Sequence, residues 1–245
     1  NNSSALVSSY VSFILRKTQG MVVLGTNMRN LFRDYFTETR LFVVPNGVNL
    51  SMKSIPRNIN GPARILYLSN ISLAKGIEDV INAIVLMERH CRLPFHLDVV
   101  GNWRDAETRE RISLFIGGKN LPLTFHGQIV GNARLRFYEN ADIFVFPPRQ
   151  PEGHPWVIVE AMAAGLPIVT TNQGEIPQCV LNGVNGFVLA TADSNKIAEK
   201  LKFLIENPKA RERMGLESRR LYLENFTEEK MVERLSAAFH SVLAI

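Results

Sequence analysis

The sequence predicts an α/β protein: a parallel sheet with helices on both faces. Two observations carry that expectation. Short, almost wholly apolar runs recur along the chain, as strands buried on both faces require. Between them lie longer stretches whose apolar residues repeat at helical spacing. Composition agrees, since 46% hydrophobic and 21% charged residues in a chain of 245 are ordinary globular values and exclude disorder or fibrous repeats. The length suffices for one large domain or two small ones.

Residues 1–44 read as helix, strand, helix, strand. Val7, Val11, Ile14 and Leu15 share a helical face, and Met21–Leu24 is a short strand ended by Gly25. Thr26 is the expected N-cap of a helix through Leu31 and Tyr35, and Leu41–Val44 is the second strand. Residues 45–62, from Pro45-Asn46-Gly47 through Pro56 to Asn60-Gly61-Pro62, are rich in turn formers without periodicity and read as a linker. From there the alternation is regular. Strands are expected at Ile65–Leu68, Phe95–Val100, Leu123–His126, Ile143–Phe146, Pro167–Thr170 and Gly186–Leu189. Helices are expected at Ile77–Cys91, Thr108–Phe115, Ala133–Glu139, Pro155–Ala164, Ile176–Val180, Asp193–Glu206 and Pro208–Glu224. A last helix, Glu228–Val242, carries the stripe Met231, Leu235, Ala238, Phe239 and Val242. Ligands of such sheets sit outside the carboxyl ends of the strands, so the loops after Leu68, Val100, His126, Phe146 and Thr170 are where function is to be sought.

Charge narrows the partners. The chain has 28 basic and 23 acidic residues, a net charge of +5. Residues 1–64 hold eight of the bases (among them Arg16, Lys17, Arg29 and Arg33) and only Asp34 and Glu38 as acids, which leaves the remainder close to neutral. A nucleic-acid partner would call for basic charge over the folded body, so none is expected. The two cysteines, Cys91 and Cys179, have no metal-type spacing and fit a reducing, cytoplasmic setting. No apolar run approaches the roughly 20 residues of a membrane span. The opening is too polar for a signal peptide, and a chain beginning at Asn1 is read as processed or as a piece of something longer.

The densest chemistry lies at Glu152-Gly-His-Pro-Trp-Val-Ile-Val-Glu160, followed by Ala161-Met-Ala-Ala-Gly-Leu-Pro167. It follows a strand end and opens a helix, with Pro155 expected at the first helical position, where its missing N–H costs nothing. The free N–H groups near Trp156 and Val157 then carry the positive end of the helix dipole, an anion site. Glu152 and Glu160 either grip polyols on both sides of a bound phosphate or are a dipole-favouring acid and a solvated surface acid. Lys75, in a loop between strand and helix, either faces a diphosphate or is a solvated lysine beside a turn glycine.

These residues resemble a known family. Glu152–Pro167 is similar to the E-x7-E motif and the following EAMAxGxP run of retaining glycosyltransferases of the GT-B fold, family 4. Pro45-Asn46-Gly47-Val48 resembles the family's interdomain hinge, with Asn49 in place of the acid. Ser69–Gly76 resembles its first phosphate loop, and Gly174-Glu175-Ile176-Pro177 with Asn185-Gly186-Phe187 its GGxPE and NGF segments. The resemblance implies a Rossmann-like, nucleotide-sugar-binding domain over residues 63–227, the C-terminal half of a GT-B fold. Residues 1–44 would be the tail of the acceptor-binding domain, and residues 228–245 a helix crossing back toward it. The implied reaction transfers a hexosyl unit from a UDP- or GDP-hexose to a saccharide or lipid-linked acceptor with retention. This chain would supply the donor site and turn over poorly alone.

Carried over residue by residue, the resemblance makes Lys75 the diphosphate cation and Glu152 the acceptor of donor-hexose hydroxyl bonds. These two are the catalytic candidates. Ser69, Asn70, Gly101, Gln128, Gly153, His154, Pro155, Trp156, Val157 and Glu160 complete the donor site, with Glu160 at the ribose. Family members commonly carry Gly-Arg where this chain has Ser69-Asn70, so one cation is missing, and Arg149 is either its substitute or a surface arginine. His154 either contacts the hexose or packs in its loop. Gly101 and Gly127 are base contacts or turn residues. No metal and no cofactor is expected, because no HExxH, DxD or carboxylate cluster occurs and Gly117-Gly118-Lys119-Asn120 is not a P-loop. No GxGxxG follows Ile65–Leu68, which removes the support for a dehydrogenase. A non-catalytic nucleotide-binding subunit and a nucleotide-sugar epimerase remain as other readings. If the basic trend of residues 1–64 continues upstream, the acceptor side would meet the inner face of an anionic membrane.

Overall fold

Two parallel sheets organise the residues that the structure, a computed structural model, describes: 2–50 and 61–243, the side chains of residues 2–6 excepted. The smaller pairs β1 (Met21–Val23) with β2 (Leu41–Val43), Met21 opposite Leu41. The larger holds β3 (Ala63–Leu68), β4 (Phe95–Val100), β5 (Leu123–Gly127), β6 (Ile143–Phe146), β7 (Ile168–Thr171) and β8 (Gly186–Leu189), in the order β5-β4-β3-β6-β7-β8. The linker expected over 45–62 falls mainly on residues 51–60, outside the described residues.

The strands are where the apolar runs placed them. Ile65, Leu66, Leu97, Val99, Ile143, Phe144, Ile168 and Val169 are buried, as strands covered on both faces require. Helix α3 (Ile77–His90) buries Val80, Ile81, Ile84 and Met87 and packs against α8 (Ser194–Glu206). On the other face α6 (Trp156–Ala163) packs against α9 (Pro208–Asn225). Helix α4 (Ala106–Ile116) is capped by Asp105, which accepts the Thr108 N–H at 2.6 Å. The short helices α5 (Leu135–Asn140) and α7 (Ile176–Cys179) complete the crossovers. No helix among the described residues is long and apolar enough to cross a membrane.

Residues 1–44 add α1 (Asn2–Lys17) and α2 (Thr26–Phe32) to the small sheet. Helix α1 leaves Val7, Tyr10, Val11, Phe13 and Ile14 exposed. Thr26 is not the N-cap of α2: it is the first helical residue, preceded by Gly25, and no side chain of the helix's own strand-loop closes its end. The final helix α10 (Glu228–Leu243) runs beside the small unit. Val48 bridges Thr227, the Gly47 N–H points at the Met231 sulfur at 3.3 Å, and the Tyr222 hydroxyl donates to the Val48 carbonyl at 2.8 Å.

Buried polar groups in the large sheet are paired. The Thr170 and Thr171 hydroxyls donate to the Phe146 and Pro148 carbonyls, both at 2.6 Å, and so hold the loop that leaves β6. The Ser218 hydroxyl reaches the Leu166 carbonyl at 2.6 Å and the Asn185 carbonyl at 3.2 Å, tying α9 to the turns before β7 and β8. Ser218→Ala is expected to lower unfolding stability by about 1–2 kcal/mol, the cost of a lost buried hydrogen bond. Leu201→Ala, at a fully buried position of α8, is expected to cost about 2–5 kcal/mol. Denaturant unfolding of the two variants checks both values and their order.

Candidate functional site

The strand order reverses between β3 and β6, where the crossovers diverge to opposite sides and leave a crevice at the carboxyl ends. An open cleft of about 660 Å³ occupies that place. Its floor is the end of β3 with Ser69 and Asn70, the end of β4 with Gly101 and Asn102, and Phe146 at the end of β6. Ser69 is fixed by its N–H bond to the Val100 carbonyl (3.1 Å) and Gly101 by its bond to Gly127 (2.9 Å). One wall is Gln128, Ile129, Val130, Gly131 and Arg134; the other runs from Glu152 to Val157. Leu24 and Asn46 from the amino-terminal part close the top.

Lys75 ends a 3-10 turn, Leu73–Lys75, and is followed by Gly76 at φ +78. A Cβ there would overlap the Pro147 carbonyl, so only glycine brings the loops after β3 and β6 this close. That approach puts the Lys75 ammonium in an ion pair with Glu152 inside the cleft. The Lys75 side chain is 31% exposed and that of Glu152 15%, so the pair stands at the rim in reach of a ligand.

Helix α6 starts one residue later than its proline implied: Pro155 is the N-cap, and Trp156 is the first helical residue. The Ile158 N–H already bonds to the Pro155 carbonyl at 3.1 Å. The N–H groups of Trp156 and Val157 are therefore the ones left without an intrahelical partner, and both residues line the cleft.

Glu160 is not a solvated surface acid. It is 3% exposed and lies beneath the cleft wall, where it pairs with the Arg134 guanidinium and accepts the Tyr138 hydroxyl at 2.8 Å. Burial raises its pKa, against the opposing pull of Tyr138 and Arg134. Its carboxylate meets the cleft through Arg134, whose Nε is buried without a partner among the described residues.

His154 packs in its loop. Its ring lies 5.1 Å from that of Phe226, its Nε2 is 3.1 Å from the Cys179 sulfur, and its Nδ1 has no partner among the described residues. Burial, helped by the nearby charge of Arg234, lowers its pKa to about 4. Burial also raises the Cys179 thiol. The contact is thus a neutral thiol–imidazole pair and not an activated nucleophile. Asn46 donates to the His154 carbonyl at 2.6 Å, which ties the amino-terminal part to this loop.

Arg149 is no substitute for the missing cation. Its guanidinium is held bidentate by Asp79 at 2.7 and 2.8 Å, and it does not line the cleft. Arg134 is the second cation the cleft offers, and the sequence reading missed it. Its one local signal is the i, i+4 spacing to Tyr138; the partner they share, Glu160, is distant in sequence. Leu24 was likewise missed, because its place in the cleft depends on how the small sheet sits against the large one.

Residues 51–221 match the family model described as glycosyl transferases group 1. The chain is 34% identical over 109 residues to the capsular polysaccharide biosynthesis glycosyltransferase CapM of Staphylococcus aureus, an overlap of 44% of this chain and 28% of that protein. It is 25% identical over 232 residues to the glycogen synthase of Mycobacterium tuberculosis, covering 91% of this chain and 54% of that one. The fold superposes with a TM-score of 0.79 on Anabaena HepE, solved in complex with UDP and glucose, at 18% identity over 91% of this chain and 64% of that one. The chain thus spans between about a quarter and somewhat over half of the two curated relatives' lengths. With a Rossmann-like sheet shared with solved GT-B glycosyltransferases and a family match over most of its length, the chain belongs to the glycosyl transferases group 1 family.

Proposed function

We propose that the cleft is the donor site of a hexosyltransferase that takes its sugar from a nucleoside diphosphate and transfers it with retention. One observation carries the reading: a lysine and the free N–H groups of a helix N-terminus face the same crevice at the switch point of the sheet. In the transition state negative charge grows on the departing diphosphate. Lys75 and the Trp156 and Val157 N–H groups are prearranged to meet it, so that the charge is borne by the protein and not by a metal ion.

Glu152 has a double part. Its carboxylate holds Lys75 and has a lone pair left to accept a hydroxyl bond from the hexose. The ammonium has three N–H donors and can keep Glu152 while reaching a phosphate oxygen. Asn70 brings hydrogen bonds without charge beside them. The base and ribose would lie along Gly101, Asn102 and Gln128–Arg134, where Arg134 faces the nucleotide while Glu160 fixes it from below. UDP and glucose on HepE support a uridine-linked donor, and the capsular and glycogen names of the sequence relatives support a saccharide acceptor. Transfer by the whole protein would draw the acceptor pocket from outside this chain.

Titration calorimetry of the chain with UDP, GDP and ADP is expected to show binding of at least one, and binding of none would overturn the donor reading. Lys75→Ala is expected to weaken the bound nucleoside diphosphate by about 10- to 100-fold, the loss of one charge-assisted contact. The matching nucleoside should change little, and equal losses for both would remove the phosphate role. The burial of His154 gives a separate prediction. With a folded pKa of about 4 against an ordinary 6.5, the unfolded chain binds the extra proton first. Stability is then lost as pH falls from about 6.5 to 4, by up to roughly 3 kcal/mol, and levels off below. Denaturant unfolding across this range should show that slope, and His154→Gln should flatten it.

A further inference from the structure

Helix α2 obtains its cap from the loop that leads from β7 into α7. The Asn27 N–H donates to one carboxylate oxygen of Glu175 at 3.2 Å and the Met28 N–H to the other at 2.6 Å. The Thr26 N–H donates to the Gln178 side-chain carbonyl at 3.2 Å, and the Gln178 amide returns a bond to the Thr26 hydroxyl at 2.6 Å. The Asn27 side-chain amide reaches the Gly174 carbonyl at 3.0 Å. Glu175 is 1% exposed, and a Cβ at Gly25 would overlap its carboxylate, so the two segments are in close contact.

The same short loop holds the donor-side carboxylate from behind. The Glu175 N–H donates to the Glu152 carbonyl at 3.0 Å. Gly174, at φ +59, lies so close that a Cβ there would overlap that carbonyl. On the far side, Leu24 directly precedes Gly25 and lines the cleft. One residue thus touches two things: the start of the segment that forms the cleft's upper wall, and the backbone of the residue that grips Lys75.

We propose that Glu175 is a positioning residue that couples the seating of residues 24–28 to the placement of Glu152. Nucleotide binding and docking of the amino-terminal segment then strengthen each other. The chemistry fits a carboxylate in particular. Two N–H donors side by side need two acceptor oxygens, and the positive end of α2 favours a negative charge. Glutamine at this place offers one acceptor and no charge. The inference rests on the donor-site reading, because the coupling is expressed through Glu152 and Lys75.

Coupling is reciprocal, which gives the test two independent readouts. Hydrogen exchange at Asn27 and Met28 is measured with and without the tightest binder among UDP, GDP and ADP, and nucleotide affinity is measured by calorimetry in Glu175→Ala and Glu175→Gln. The nucleotide is expected to slow exchange at both amides in the unmodified chain. Glu175→Ala is expected to lose about 5- to 20-fold in affinity, with Glu175→Gln between it and the parent. Unchanged affinity in Glu175→Ala, with its Asn27 and Met28 amides released, would reduce Glu175 to a structural joint and overturn the inference. Exchange that ignores the nucleotide would do the same. If the unmodified chain binds no nucleotide, the donor reading falls first and the coupling with it, and the parent titration alone reveals that case. Should Glu175→Ala fail to fold, Gln178→Ala removes the Thr26 contacts and the Gln178 amide's bond to the Glu175 carboxylate, and leaves the Asn27 and Met28 N–H bonds to Glu175 in place. A smaller loss in the same direction is expected from it, and no loss would overturn the coupling.

Discussion

The reversal of winding between β3 and β6 governs the molecule. Strands on one side of that line are joined by helices covering one face, and strands on the other side by helices covering the opposite face. The crossovers that leave β3 and β6 turn away from each other, so the carboxyl ends of these two strands are left uncovered and open as a cleft. Gly76 and the Thr170 and Thr171 hydroxyls then draw the bordering loops to fixed positions. Lys75 and Glu152 stand on those loops, and Arg134 reaches the cleft from the turn after β5. The site follows from the topology, and side chains refine it.

Within the cleft, each cation is matched with a carboxylate, but the two pairs differ in what surrounds them. Lys75 and Glu152 meet at the rim, where water screens a charge that loses its partner. Arg134 and Glu160 meet with the carboxylate buried at 4% side-chain exposure. Removing one partner of a buried pair leaves an uncompensated charge at a cost of about 3–5 kcal/mol. Lys75 can therefore shift toward an incoming anion, whereas Arg134 is pinned. The cleft combines one adjustable cation with one fixed one.

Much of this was legible in the sequence, for reasons that differ by residue. The strands of the large sheet were readable because burial on both faces forces an unbroken apolar run. Glu152, Lys75 and the α6 N-terminus were readable because each lies at a strand end beside turn formers. Pro155 was placed one position too far into its helix, since a proline serves at either side of that boundary. The burial of Glu160 was not readable, because its partners Arg134 and Tyr138 come from another crossover. Thr26 looked like a cap for the same reason: its loop suggests one, while the actual cap, Glu175, lies 147 and 148 residues further along for the two amides it serves. Local chemistry is visible in a sequence, and chemistry assembled across the sheet is not.

The spacing of the two glutamates gains a physical meaning from their surroundings. Glu152 precedes helix α6 and Glu160 lies inside its second turn, so the helix itself separates an acid at the mouth from an acid beneath the wall. At the mouth a carboxylate can accept hydroxyl bonds and release them again at little cost. Beneath the wall burial disfavours the ionised form, and only the bonds from Arg134 and Tyr138 make a charge tolerable there. Exchanging the two environments would undo both pairings, although the sequence spacing would be unchanged. A motif of two identical residues thus encodes two different roles, divided by the depth at which one turn of helix leaves each of them.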